Sequence, residues 1–357
     1  MSAKSYLQLF KGALKARLFA RPYKLNLAVT YRCNSRCLTC QIWREYKANP
    51  DIQKGELSLE EFSKIFESIS NEIRWISLTG GEPFLREDLI QIVTTACKKF
   101  HNLALISIPT NGLLHERVLR FIEHLKNSMI DGPDISISFS IDGPREIHDR
   151  IRGIKGAFDA VWKTYLESRR IANNHNRLHL HIETTISSFN ILEIKPFIEK
   201  IKKEGHSLIV TIAHDAYLYK NTGNKGITIN LKDKNTEEFF YYLQKRYCWY
   251  KPSQLINRAY IKRIPIYLKN SEKQVLPCAA LKSSFAINPY GDVLPCLMWD
   301  RVLGNLREHD LDTNSILRSS EAKETRRWIA QSRCPNCWTP CEAVQTLIQH
   351  APLSLIA

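Results

Sequence analysis

Three cysteines within eight residues, Cys33-Asn-Ser-Arg-Cys37-Leu-Thr-Cys40, carry the densest chemistry in this 357-residue chain. Their C-x3-C-x2-C spacing puts three thiolates on one short loop, enough to hold three irons of a [4Fe–4S] cube. No fourth cysteine lies close by, so one iron is left open to a ligand that is not protein. A zinc loop is the structural alternative, but zinc sites usually close with four ligands, and no histidine is near enough in sequence to complete one. A second group lies near the C-terminus. Cys278 is followed by twelve residues, Gly291, four residues and Cys296, and then by Cys334-Pro-Asn-Cys337-Trp-Thr-Pro-Cys341. Five cysteines cannot fill two four-cysteine sites, so one auxiliary cluster is the economical reading, and a structural zinc knot is its alternative. The two remaining cysteines, Cys97 and Cys248, are expected to be buried structural thiols.

Two further motifs combine turn residues with polar groups. Thr79-Gly80-Gly81-Glu82-Pro83 is by itself a turn in which glycine supplies unusual backbone angles and proline stiffens the exit. Its glycines would also let the backbone come close to whatever it faces. Ser138-Phe-Ser140-Ile-Asp142-Gly143-Pro144 reads as a strand ending in an Asp-Gly turn, followed by His148-Asp-Arg-Ile-Arg152-Gly153.

These motifs need elements to position them. Apolar, β-rich stretches recur at Leu25–Thr30, Trp75–Thr79, Leu103–Pro109, Ile135–Ile141, Leu178–Ile186 and Leu208–Ala213. Helical patterns separate them, one opening at Ser58 with Glu61 three residues on, in the form of a capping box. Others cover roughly 87–99, 115–125, 157–172 and 192–204. Six strand–helix alternations imply an α/β fold with a parallel sheet and outer helices, a partial or full barrel. In such barrels chemistry sits at the C-terminal ends of the strands, where every N-terminal motif falls, as do Thr110-Asn111-Gly112, Thr184 and Thr185. Residues 1–23 carry an amphipathic helix whose Leu7, Phe10, Leu14 and Leu18 share a face. It is expected to cover the end of the sheet or barrel, with a membrane surface as the alternative. Residues 24–213 form the core and 214–275 a helical, aromatic-rich connector or lid. Residues 276–357 form a small cysteine-rich module with a β-hairpin over 285–295.

The cysteine loop after the first strand, Gly-Gly-Glu-Pro after the second and the Ser/Asp strand together resemble the radical S-adenosylmethionine (SAM) superfamily. The resemblance implies a partial (β/α)6 TIM-like barrel in which the open iron is chelated by the amino and carboxylate groups of SAM. It implies reductive cleavage of SAM to a 5′-deoxyadenosyl radical that takes a hydrogen atom from substrate. It places Gly80, Gly81, Glu82 and Pro83 at the SAM amino group, and Ser140 and Asp142 near the ribose or methionine. It sets Arg152 against the SAM carboxylate, which a guanidinium fork suits, and Asn111 on the same rim. Where the family commonly has an aromatic residue before the last cysteine, this chain has Thr39, and Trp43 is the nearby aromatic. The C-terminal cysteines resemble SPASM/twitch modules, which carry auxiliary [4Fe–4S] clusters, and a twitch-like ligand set would be Cys278, Cys296, Cys334 and Cys337, with Cys341 left over or replacing one of them. That implies an external electron donor and a substrate that is a peptide, a protein or a small molecule.

Composition narrows the classes. Hydrophobic residues make up 44% and charged residues 24%, as in ordinary globular proteins. No apolar run approaches the roughly 20 residues of a spanning helix, and no secretory signal is recognised, so cytoplasmic residence is expected. A net charge of +15 would attract nucleic acid, anionic lipid or an acidic substrate. The basic residues are spread rather than blocked and no RNA-binding module is recognisable. A nucleic-acid-modifying enzyme and a non-catalytic zinc- or iron-binding scaffold are therefore the alternatives to the radical SAM reading.

Overall fold

The computed structural model describes residues 1–69, 71–128, 132–221, 225–229, 234–247 and 252–351. Six parallel strands, β1 (Lys24–Thr30), β2 (Trp75–Gly80), β3 (Leu105–Thr110), β4 (Asp134–Ser140), β5 (Leu178–Ile186) and β6 (Leu208–Ile212), pair in sequence order. Along each, alternate residues point to opposite faces. Leu25, Leu27, Ile76, Leu78, Ile106, Ile108, Ile135, Ile137, Ile182 and Ile186 are buried in the main core. The other face is polar: the Trp75 indole donates to the Ser107 hydroxyl at 3.0 Å, and Ser138, Ser140 and Glu183 lie alongside.

The helices are α1 (Ala3–Phe19), α2 (Ile42–Ala48), α3 (Leu59–Ser68), α4 (Leu89–Lys99), α5 (His115–Ser128), α6 (Arg145–Arg152), α7 (Ala157–Ile171), α8 (Ile194–Lys203), α9 (Lys234–Lys245), α10 (Pro252–Lys269), α11 (Thr313–Leu317), α12 (Ser320–Ala330) and α13 (Pro340–Gln349). The Ser58–Glu61 capping box opens α3. The expected strands recur within two residues at each end. Helix α6 covers a stretch to which the sequence analysis assigns no element; it is eight residues long and ends where Gly153 takes φ 67°, a left-handed angle glycine adopts without penalty. Cys97, on α4, is half-buried against the main core. Cys248, Trp249 and Tyr250 lie outside the described residues.

β1 and β6 do not pair, so the barrel is open, as a partial barrel is. The outer edge of β1 is instead taken by β7 (Ser284–Ile287), also parallel, and β8 (Asp292–Leu294) and β9 (Gly304–Asn305) continue antiparallel. The C-terminal hairpin thus extends the barrel sheet into one nine-stranded surface. All seven residues of β1 are buried, which requires a neighbour on both edges, and β7 supplies the second.

Helix α1 lies at the N-terminal end of the barrel strands, where Ser2 N–H and Oγ–H donate to the Asp134 carboxylate at the start of β4 (3.1 and 2.9 Å). It docks with the opposite face from the one its sequence pattern suggests. Ser5, Gly12, Ala13 and Ala16 are buried, while Leu7, Phe10, Leu14 and Leu18 are 53, 66, 46 and 64% exposed. The cause is close approach: a Cβ on Gly12 would lie 2.8 Å from the Arg74 side chain and 2.9 Å from Tyr23. Only small residues fit that contact, so the bulky stripe turns outward.

Candidate active site

The loop carrying Cys33, Cys37 and Cys40 leaves β1 and is held from below by the end of α6. Arg36 N–H and Leu38 N–H donate to the carbonyls of Arg152 and Ile151 at 2.9 and 2.8 Å. These are carbonyls a helix C-terminus leaves without intrahelical partners. Gly153 is required here for a second reason, since a Cβ would sit 2.5 Å from the Arg36 carbonyl. On the other side Asn221 donates to the Thr39 carbonyl, Gln41 N–H donates to that of Tyr219, and the Trp43 indole donates weakly to that of Cys37 at 3.4 Å.

Gly80 and Gly81 answer to packing within the chain. Cβ atoms there would lie 2.1 Å from the Thr30 carbonyl and 2.0 Å from that of Arg32. The close approach inferred from these glycines is therefore made to the cysteine loop's own backbone. Gly81 and Glu82 N–H groups donate to those same carbonyls at 2.8 Å each. Pro83 is buried and begins a short turn. The Glu82 side chain, only 2% exposed, turns inward and accepts from Asn111 N–H (2.7 Å), Thr110 Oγ1 (2.9 Å) and Phe84 N–H (3.2 Å). Burial raises its carboxyl to about 7 against the pull of these donors and of Arg152. The Asn111 side chain donates to Asn34 Oδ1 at 2.8 Å, tying the end of β3 to the cysteine loop.

Arg152 joins the third motif to the first. Its Nε lies 2.8 Å from Asp142 Oδ2 but is not aligned for a hydrogen bond, and its Nη1 is 3.8 Å from Cys37 Sγ. Burial works against this charge, yet Asp142 and the sulfurs of Cys37 and Cys33 outweigh it and raise the Arg152 pKa. Asp142 is fixed by Thr185 N–H at 3.0 Å, and its own N–H donates to His148 Nδ1 at 3.1 Å. Burial holds His148 neutral, lowering it to about 3. Ser140 ends β4 in register with Glu183 on β5. Burial raises the Glu183 carboxyl, opposed by a hydrogen bond from Ser138. Burial also raises the Cys33 and Cys40 thiols, Cys40 to about 12.

The C-terminal cysteines separate into two environments. Cys278, Cys296, Cys334 and Cys337 line one cavity together with Trp338 and Glu342. Cys341, at the start of α13, is absent from that lining and packs with Cys40 and Tyr219 against a small cluster around Tyr31 and Leu218. Gln274 bridges the cavity's elements, accepting from Cys278 N–H at 3.1 Å and donating to Cys334 Sγ at 3.5 Å. Below it, Lys24 Nζ donates to the Cys341 carbonyl at 2.8 Å, and Asn26 and Ser284 donate to the Glu342 carboxylate. Asn34, Glu183, Gln274, Lys24 and Glu342 were not singled out by the sequence; each acts through a partner far along the chain.

A radical SAM superfamily model matches residues 27–190, and a model of SPASM, an iron–sulfur cluster-binding domain, matches residues 278–338. The chain belongs to the radical SAM superfamily. It is 26% identical over 293 residues to the antilisterial bacteriocin subtilosin biosynthesis protein AlbA of Bacillus subtilis (strain 168), an alignment covering 81% of this chain and 58% of that protein. The chain therefore spans little more than half the length of that relative. Among solved structures, anSMEcpe with bound AdoMet superposes with a TM-score of 0.60 at 18% identity, covering 85% of this chain and 82% of that one. Streptococcus suis SuiB bound to the precursor peptide SuiA gives 0.59 at 15% identity, covering 96% and 76%. These two likenesses speak for the fold.

Superfamily membership implies a [4Fe–4S] cluster and SAM as cofactors, and the SPASM domain implies auxiliary iron–sulfur clusters. The residues present fit such groups. Soft thiol donors suit iron–sulfur ligation, and the first set offers three without a fourth. Among the described residues, no three His, Cys, Asp or Glu side chains gather tightly enough to hold a single metal ion. A cube, which spreads its ligands over different corners, asks for wider spacing. Arg152, with a buried Nε that makes no aligned hydrogen bond, keeps donor capacity beside those thiols for an anionic ligand group. Among the described residues, no helix is long and apolar enough to cross a membrane.

Proposed function

We propose that this chain is a radical SAM enzyme acting on a peptide precursor, with Cys33, Cys37 and Cys40 as ligands of the SAM-binding cluster and Cys278, Cys296, Cys334 and Cys337 as ligands of an auxiliary one. A reduced [4Fe–4S] cluster with SAM supplies, when bound, a 5′-deoxyadenosyl radical that removes a hydrogen atom from substrate. The observation that carries the reading is the docking of the three-cysteine loop on α6, with the Arg152 guanidinium held between Asp142 and Cys37.

Each residue has a task in this reading. The Gly80–Gly81 backbone clamps the loop to the end of β2. Glu82 ties β2 to β3 and, with Asn111 and Asn34, fixes the rim against which the methionine part of SAM would lie. Arg152 presents its free donors to the SAM carboxylate, while Ser140 and Asp142 lie near the ribose or the methionine. Ser138 and Glu183 continue the polar inner face toward the substrate side. The C-terminal cavity has four thiols, which favours assigning Cys341, absent from its lining, a place outside the auxiliary ligand set.

A peptide substrate is supported by the names of similar proteins, a bacteriocin biosynthesis protein and a protein solved bound to a precursor peptide. The decisive experiment reconstitutes the chain anaerobically and supplies SAM, reductant and candidate precursor peptides deuterated at their side chains. Transfer of deuterium from one peptide into 5′-deoxyadenosine supports the reading. Deuterium transfer only from small-molecule substrates, with none from any peptide, contradicts it.

A further inference from the structure

We propose that α1 is an in-plane membrane anchor that seats the N-terminal end of the barrel on an anionic lipid surface. The proposal stands independently of the active-site reading. Leu7, Phe10, Leu14 and Leu18 recur at helical spacing and are each about half or more exposed, and Phe19 at the helix end is 67% exposed. Together they make a continuous apolar stripe, where a soluble surface normally scatters its apolar residues singly. The usual explanation, burial against the protein body, is ruled out by the docking. The body takes the opposite face, through Ser5, Gly12, Ala13 and Ala16.

The charge pattern identifies the occupant. Lys4, Lys11 and Lys15 form a row beside the stripe, each within three or four positions of Leu7, Leu14 or Leu18, and Arg17 lies on the other side. All four are exposed. No Asp or Glu occurs in the chain before Glu45, so nothing on this helix repels an anionic surface. A narrow apolar stripe flanked by long cationic side chains matches the boundary between headgroups and acyl chains. The apolar residues enter the hydrocarbon edge and the lysines reach back to phosphates. A folded protein partner would need hydrogen-bonding complements along the contact, and the stripe presents none. The geometry also leaves the active site free. Helix α1 contacts Tyr23, Arg74 and Asp134 at the N-terminal ends of β1, β2 and β4, whereas the cysteine loop, Glu82 and Asp142 lie at the opposite ends of the strands.

The test is co-sedimentation of the full-length, cluster-loaded chain with vesicles of phosphatidylcholine alone or with phosphatidylglycerol added. The chain should pellet with the phosphatidylglycerol vesicles, and less so as salt is raised. The Phe10→Ser/Leu14→Ser/Leu18→Ser variant should lose at least about tenfold in partitioning while keeping its iron content, because the docked face is untouched. Lys4→Glu/Lys11→Glu/Lys15→Glu should remove the preference for anionic vesicles. A chain ending at Ala351 should partition as the full chain does, which separates the helix from the apolar run Pro352–Ala357. A full-length chain that stays in the supernatant with both vesicles overturns the proposal. So does loss of partitioning on removing residues 352–357. Sedimentation velocity showing a dimer that the serine variant dissolves would assign the stripe to a second copy and overturn it as well.

Discussion

Replacing Arg152 by methionine isolates what its side chain does from what its backbone does. The side chain is 14% exposed and that of its partner Asp142 only 2%, with 2.8 Å between them. At an effective dielectric of 20 the attraction at this distance is roughly 6 kcal/mol, against several kcal/mol of desolvation for each ion. Removing one partner leaves Asp142 buried and uncompensated, so Arg152→Met should destabilise the apoprotein by about 3–5 kcal/mol. Asp142→Asn should cost less, because the guanidinium still faces Cys37. The double variant should recover part of the loss. The coupling energy should be roughly 2–3 kcal/mol, the upper part of the range for residues in one network. Urea unfolding of the four reduced apoproteins measures it. The cysteine loop hangs on the main-chain carbonyl of Arg152 rather than on its side chain, so Arg152→Met should still load iron while binding SAM more weakly. A coupling below about 0.5 kcal/mol would refute the buried pair, and loss of iron loading would refute the separation of backbone from side chain.

Three further outcomes follow from the same geometry. Gly81→Ala should displace the cysteine loop and cut iron retention after reconstitution, because its Cβ meets the Arg32 carbonyl at 2.0 Å; Gly156→Ala, with nothing within 4 Å, should cost only about 1–2 kcal/mol of backbone strain and load iron normally. Glu82 has a folded pKa of about 7, above its ordinary 4.5, so its contribution is fully present below pH 4.5 and lost as pH rises through 7. Apoprotein stability should fall by up to roughly 3 kcal/mol across that window, and Glu82→Gln should flatten the slope in thermal melts taken at successive pH values. In a chain lacking the first three cysteines, Cys296→Ala should abolish the remaining iron and Cys341→Ala should keep it, as counted by metal analysis.

The sequence made the barrel legible because six strands and their helices repeat one local pattern, and the cysteine loop because its ligands are at most seven positions apart. Ser58 and Glu61 mark a helix start through a contact three residues long. What escaped is long-range. Lys24 reaches the Cys341 carbonyl across 317 positions, and Ser2 reaches Asp134 across 132. No local pattern announces that β7 will complete the edge of β1, or that α6 will present its last carbonyls to the cysteine loop. The glycines at 80 and 81 are visible as permissive backbone, but whether they approach a ligand or the chain itself depends on a neighbour fifty residues earlier. In α1 the apolar stripe is evident in sequence, yet its direction is set by the small residues on the opposite side, whose advantage is close approach rather than hydrophobicity.

Cys33, Cys37 and Cys40 should support SAM cleavage, and the C-terminal cysteines should hold their metal without them. The most direct measurement is 5′-deoxyadenosine formation from SAM and reductant by the reconstituted chain and by its Cys33→Ala/Cys37→Ala/Cys40→Ala variant, with iron counted in both. Product should form with the unmodified chain and not with the variant, which should still hold about four irons at its C-terminal cysteines. Product formed by the variant at the original rate would contradict this.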